Sequence, residues 1–233
     1  TVSDLLAYVV SNEPMAHCWQ LLFFGTPPPA DRVVYERVRT LAGGAVRSLQ
    51  VARMDEASRR AERWSRDPLD LGLAGRIAIE CVDSAALDTS ALFEALGGKP
   101  YYCERHTPLV PPLEPGETFE GTLQLCCFRR LPDLSDQALR DRWLGDHTHV
   151  ALSTQSTLGY HQNWVVSQSA PHFDGIVEEY FPPEASERID WFFNAVDDPV
   201  RLREHIETMT HSTARFLALD TALVQHLSDV RLI

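Results

Sequence analysis

Four prolines and a glycine crowd into the stretch from Thr107 to Glu117, which reads TPLVPPLEPGE. Each proline fixes φ near one value and removes a backbone donor, so this run is predicted to be neither a helix nor a central strand. It reads as a linker, and it divides the chain into residues 1–110, a connection at 111–120, and residues 121–233.

The elements on either side follow the same order. In the first half, residues 1–14 suggest a short helix around Leu5 to Val10. Met15 to Phe24 is apolar and β-rich, a strand buried on both faces. Prolines after Gly25 end it. Asp31 is the expected N-cap of a helix reaching Leu41, with Val34, Val38 and Leu41 on one face, and Gly43-Gly44 closes it. Ser48 to Arg53 and Gly75 to Val82 read as strands. Between them the charged run Asp55 to Arg66 reads as a solvated helix or lid. Asp88 to Leu96 is a helix closed by Gly97-Gly98, and Tyr101 to Val110 a final strand.

The second half gives a strand at Gly121 to Arg130, a helix from Leu134 to about Leu152, strands at Gly159 to Val166 and Gly175 to Phe181, a helix opened by Asp198-Pro199, and a strand from Leu223 to Ile233. Asp as N-cap with Pro at the first helical position is a strong start signal. Both halves therefore show β-α-β-β-α-β order, the split βαβ pattern. CWQLLFF from Cys18 aligns with TLQLCCF from Thr122, placing Gln20 on Gln124. The expected class is α+β, two tandem ferredoxin-like repeats in one chain.

Composition narrows the partners. A formal net charge of −12 argues against nucleic acid and against an anionic membrane surface, both of which need clustered Lys and Arg. No apolar run is long enough to span a membrane. TVSDLLAYVVSNEP lacks the basic start of a signal peptide, which leads us to expect a cytoplasmic protein. Five cysteines without a C-x-x-C pair read as buried free thiols. A small-molecule partner is expected, with a homodimer as the assembly to consider.

The chemistry concentrates between Leu134 and Val166, which hold three of the nine histidines: His147, His149 and His161. Leu134, Ser135 and Leu139 have the spacing of a hydrophobic staple around an N-cap. Trp143 and His147 follow Leu139 at steps of four, on the inward face of the helix. His147 and His149 would point about 200° apart on a helix, and no third ligand stands at a recognisable spacing, so no metal site is expected. On the strand, His161, Asn163 and Val165 share one face; Tyr160, Gln162, Trp164 and Val166 share the other. Glu178, Glu179 and Tyr180 lie on the strand after Asp174-Gly175, with Glu178 and Tyr180 on one face; a general-base carboxylate and a solvent-facing one both fit. Phosphate-binding glycine loops, G-x-S-x-G and H-E-x-x-H are absent.

These residues carry a resemblance. Residues 121–233 resemble the EthD domain of the dimeric α/β-barrel superfamily. The features are Leu134-Ser135-Asp136 after Phe128-Arg129-Arg130; Trp143-Leu144-Gly145-Asp146-His147, similar to the family's W-x-x-x-H; Tyr160 with Asn163; Phe173-Asp174-Gly175 leading to Tyr180-Phe181; and the helix from Asp198 followed by Arg215-Phe216-Leu217. The first half has Val38 and Leu41 where the Trp/His pair would stand and reads as a degenerate repeat. Thr148-His149 follows the helix histidine, where the family usually has proline or alanine. The resemblance implies that the two repeats form a dimeric-α/β-barrel-type pseudo-dimer with an apolar pocket. Its relatives are similar to polyketide cyclases, muconolactone isomerases, cofactor-free monooxygenases and haem-handling proteins.

The resulting expectation is an enzyme acting on an apolar oxygenated or aromatic, polyketide-like substrate. His147 and His161 would be acid, base or donors to a developing enolate. Trp143, Tyr160, Asn163, His149 and Tyr180 would bind substrate. Isomerisation, cyclisation or elimination without a cofactor leads; oxygenation, or non-catalytic binding of a ligand or of haem, is the alternative.

Overall fold

The computed structural model describes residues 16–82 and 88–233. The helix expected around Leu5 to Val10 lies outside them. The elements are β1 (Ala16–Phe24), α1 (Asp31–Ala42), β2 (Val46–Arg53), β3 (Leu73–Cys81), α2 (Thr89–Leu96), β4 (Lys99–Leu109), β5 (Thr122–Phe128), α3 (Asp136–Leu139), a π-helical stretch Arg140–His147, α4 (Thr148–Thr154), β6 (Gly159–Gln168), β7 (Gly175–Phe181), α5 (Ile189–Phe192), α6 (Pro199–Thr213) and β8 (Leu223–Arg231).

The eight strands form one closed barrel in the order β1-β3-β2-β8-β5-β7-β6-β4. Every pairing is antiparallel, and the two halves meet at β2–β8 and β4–β6. Closure leaves no unpaired edge among these strands. With period-2 alternation, each strand sends one set of side chains inward and the other out. Leu22, Ala52, Cys103, Leu123, Leu125, Ile176 and Leu227 make an interior cluster. Outside, Leu21, Leu49, Ile77 and Ile79 pack against Val34, Val38, Leu92 and Leu96 of α1 and α2. On the second half, Phe128, Tyr160, Trp164 and Val177 pack against Leu139, Trp143 and Ala151.

Several local signals act as expected. The Asp88 side chain accepts from the Ala91 amide, Ser135 from Ala138 and Asp198 from Arg201, capping α2, α3 and α6. Leu134 and Leu139 join one apolar cluster, as a staple does.

Others differ. Asp31 is not the N-cap of α1; Ala30 is, and Asp31 pairs with Arg53 of β2 at 2.5 Å. Leu41 is exposed and Ala42 takes its place in the core. The charged run after Asp55 forms a short 3₁₀ helix, Ser58–Trp64, tied down by Trp64 Nε1 donating to the Ser186 carbonyl at 3.1 Å. Pro108 sits inside β4, where the pairing with β6 slips between His106 and Leu109; a bulge spares the ladder a missing donor. Beyond it, Leu113 and Phe119 are buried in the barrel's interior cluster.

The alignment of Gln20 with Gln124 is out of phase. Gln20 points into the barrel and donates to Glu178, whereas Gln124 points outward and donates to Glu179. A one-residue slip moves every side chain to the other face.

Candidate functional site: a cleft between the barrel wall and the helices

The helix after Ser135 loosens into π geometry from Arg140 to His147, a rare form that recurs at functional sites. Gln162 of β6, fully buried, anchors it. Its Nε2 donates to the Trp143 carbonyl and to the Tyr160 oxygen, both at 3.1 Å, and its Oε1 accepts from Thr148 Oγ1 at 3.1 Å. Trp143 then lies edge-on to Phe128, ring centroids 4.8 Å apart. That approach needs Gly175, because a Cβ there would stand 2.6 Å from Trp143 and 2.5 Å from Phe128.

Between this helix, α5, α6 and the outer face of β5, β6 and β7 lies a cleft of about 210 Å³. Its walls are largely aromatic and aliphatic: Phe128, Trp143, Phe192, Phe193, Met209 and Phe216. Its floor is polar. Gln124, Glu179 and Tyr160 are direct cross-strand partners on β5, β7 and β6, so they form a row across the sheet. His147 completes the lining from the helix side.

Burial sets the protonation of this row. It pushes the Glu179 carboxyl up to about 7, opposed only by the Gln124 amide, which donates to Oε2 at 3.2 Å. No cation pairs with Glu179 among the described residues. Burial also lowers His147 to about 4, so its imidazole is neutral, with Nδ1 2.9 Å from the Ser212 hydroxyl of α6. Burial and the charge of Glu179 hold Tyr160 well above the ordinary phenol range, against the hydrogen bond that Gln162 donates to it. The cleft thus holds a carboxyl that can give or take a proton near neutrality, beside a neutral imidazole and a neutral phenol.

The expected site residues divide between two compartments. Trp143, His147 and Tyr160 line the cleft. His149 points to solvent on the opposite side of the helix. His161, Asn163 and Tyr180 face the barrel interior, so His147 and His161 do not share a cavity and cannot act as an acid–base couple on one substrate. The interior holds a buried ionic network instead. Arg76 Nε lies 2.8 Å from Glu178 Oε1 and Arg105 Nη2 2.5 Å from Oε2. Asn163 accepts from Arg105 Nε at 2.9 Å, and the Tyr180 hydroxyl donates to Asp229 at 2.7 Å. Burial opposes ionisation of Glu178, yet Arg105 and Arg76 hold its carboxyl at about 2. Burial keeps Asp229 up at about 6.

Sequence reasoning puts both Glu178 and Glu179 on this strand without choosing between them as a base, and it does not single out Gln124; the face of Glu178 is the ion-paired one. Alternation along β7 separates the two carboxyls, but only cross-strand register shows that Glu179 stands beside Tyr160.

Neither Cys126 nor Cys18 is a candidate nucleophile. Burial pushes Cys126, which lines the cleft, up to about 12, and Cys18 in the barrel likewise. Among the described residues no helix is long and apolar enough to cross a membrane.

No protein-family signature matches this chain, and no curated protein matches it. Solved structures do. An anthrone oxidase-like protein is similar over 96% of each chain at 10% identity, with a TM-score of 0.51. A chlorite dismutase from Candidatus Nitrospira defluvii is similar over 93% of this chain and 92% of its own at 12% identity, with a TM-score of 0.43. At such identity the first likeness speaks to the fold alone, and the second carries no argument. The chain has a mixed α/β fold around a closed antiparallel barrel, with the eight strands supplied by one polypeptide.

Haem does not fit the cleft. At about 210 Å³ it is smaller than the roughly 300–1,000 Å³ that holds a drug-sized molecule.

Proposed function

We propose that the cleft binds a small, mainly aromatic, oxygenated molecule and moves a proton on it without a cofactor. The observation that carries this reading is Glu179: a buried carboxyl, free of any ion pair among the described residues, set in an aromatic cavity and balanced near neutral pH. Its ionised form takes a proton from carbon next to a carbonyl, or from a phenol. Its protonated form returns the proton elsewhere. Return at a different carbon is isomerisation, and attack of the resulting enolate on a second carbonyl is cyclisation. His147 and Tyr160, both neutral, supply hydrogen bonds to the oxygen that gains charge. Trp143 and Phe216 offer ring faces and edges to hold the aromatic body.

A second reading uses the same first step. The deprotonated, electron-rich substrate would react with O₂, which enters apolar cavities readily. The aromatic lining of the cleft favours it, and the fold-level likeness to an anthrone oxidase-like protein agrees by analogy.

The finer ancestry is part of the proposal. The strand orders β4-β1-β3-β2 and β8-β5-β7-β6 have the same form, which supports two ferredoxin-like repeats joined at 111–120. Only the second repeat has the Trp143/His147 pair, which supports an EthD-like origin for residues 121–233.

The test is turnover of enolisable aromatic ketones and phenols, such as anthrone and 1-tetralone, followed by absorbance with O₂ uptake recorded in parallel. We expect Glu179→Gln to lower kcat/KM by about a hundredfold or more. His147→Ala should cost about tenfold. O₂ uptake that depends on Glu179 selects oxygenation; turnover without it selects isomerisation or cyclisation. Wild-type rates in Glu179→Gln would end the proton-transfer reading.

A further inference from the structure

The Pro-rich segment after β4, the interior histidine and three arginines are not used by the cleft. They meet at one mouth of the barrel, around a separate cavity of about 350 Å³.

Arg47 of β2, Arg105 of β4 and Arg231 of β8 reach it from three strands. Among the described residues Glu80 is the only carboxylate lining it, in a chain whose net charge is −12. That carboxylate is shared, 3.6 Å from Arg47 and 3.8 Å from Arg105. Arg231 has no ion pair among the described residues: its Nε donates to the Ile233 backbone oxygen at 3.0 Å and its Nη1 to the Leu113 carbonyl at 2.9 Å. Arg105 is itself buried and pinned from below by Glu178. With Arg105 also paired to Glu178, Arg47 and Arg231 stand against Glu80 among the described residues of the lining, which leaves the mouth electropositive, and planar guanidinium forks match an oxyanion two bonds at a time.

The rest of the wall shows what such an anion carries. Val110, Pro111 and Leu113 make one side apolar. His161 stands opposite; burial, with Arg105 beside it, holds its imidazole well below the ordinary range, and its Nδ1 lies 2.9 Å from Thr107 Oγ1. His161 is therefore a neutral hydrogen-bonding group there. His106 is the remaining titratable group in the lining, its Nδ1 2.9 Å from Gln162 Oε1.

We propose that the barrel mouth is a second binding site, for a small organic anion. Its carboxylate or phosphate head lies among Arg47, Arg105 and Arg231, and its apolar body rests against the segment Val110–Leu113. The barrel wall separates this site from the cleft, so the proposal stands without the proton-transfer reading.

Isothermal titration of the full chain with benzoate, phenyl phosphate and inorganic phosphate tests it. We expect saturable one-to-one binding of benzoate or phenyl phosphate, weakened by salt at about 0.5 M. Arg231→Gln and Arg47→Gln should each weaken it about tenfold. The Arg47 side chain is 69% exposed, so that variant keeps its fold if Arg231→Gln does not. Tighter benzoate than phenyl phosphate selects a carboxylate head, and the reverse order a phosphate. Three outcomes overturn the proposal: no binding of any probe at about 10 mM, binding that Arg47→Gln leaves unchanged, or inorganic phosphate binding as tightly as phenyl phosphate.

Discussion

Glu178 and Glu179 are consecutive on β7 and face opposite sides of the barrel wall. Glu178 points inward and stays ionised down to about pH 2 because Arg105 and Arg76 flank it, against the cost of burial. Glu179 points outward into an aromatic cleft with one amide for company, and burial brings it up to about 7. Two chemically identical groups, one bond step apart along the chain, are thus given different work by their surroundings.

The first consequence is kinetic. If Glu179 is the base, kcat/KM rises with pH and levels off above about 7, because only the ionised form accepts a proton. Glu179→Gln should flatten this limb. A profile that keeps its midpoint near 7 in the variant would assign the titration to another group.

The second is a stability difference. Glu179 titrates higher in the folded state than its ordinary value of 4.5, so its protonated form stabilises the fold. That contribution is whole below about pH 4.5 and is lost as pH rises through 7. Relative to Glu179→Gln, which cannot titrate, the wild type should lose up to about 3 kcal/mol across this interval. Urea unfolding of both proteins between pH 4.5 and 8 measures it; parallel curves would contradict the buried, unpaired carboxyl.

Glu178 behaves in the opposite sense. Its folded value is depressed, so its stabilisation is present above about pH 4.5 and fades as pH falls through 2. Glu178→Gln leaves Arg76 and Arg105 short of their shared counterion and should cost about 3–5 kcal/mol at pH 7. A loss below about 1 kcal/mol in urea unfolding would mean the network relaxes around the amide.

Gly175 and Gly145 give a paired test of the cleft's back wall. Gly175→Ala drives a methyl into Trp143 and Phe128 and should destabilise by about 1–3 kcal/mol, with weaker ligand binding. Gly145 has nothing within 4 Å of an added Cβ, so Gly145→Ala should be neutral or stabilise by about 1 kcal/mol. Thermal melts of the two variants separate a packing demand from a general intolerance of substitution.

Much of this was readable in the chain before folding. Ser135, Asp88 and Asp198 announce their helices because a capping side chain acts on amides two or three residues away. Gly175 to Phe181 is a strand in sequence and in structure alike. Trp143 and His147 were expected on one inward face and line one cleft, although the π geometry between them has no local signal. Legibility ended where a residue's role depends on a distant strand. Gln20 looked equivalent to Gln124 because short apolar strands align equally well in either phase. Glu179 is not separable from Glu178 as a base in the sequence, because its partners, Gln124 and Tyr160, sit 55 and 19 positions away. His147 and His161 looked like one site because they are close in the chain, and the barrel wall stands between their rings.

Local chemistry, then, determined the kind and order of the elements, their caps, and which residues of β6 and β7 travel together on a face. It could not determine which face is which. Period-2 alternation is symmetric, and a strand reads the same whether its even or odd residues meet the helices. Closure of the barrel, through β2–β8 and β4–β6, broke that symmetry. It placed Tyr160 and Glu179 under the helices, Glu178 and His161 among the arginines, and so made two compartments from one alternating pattern.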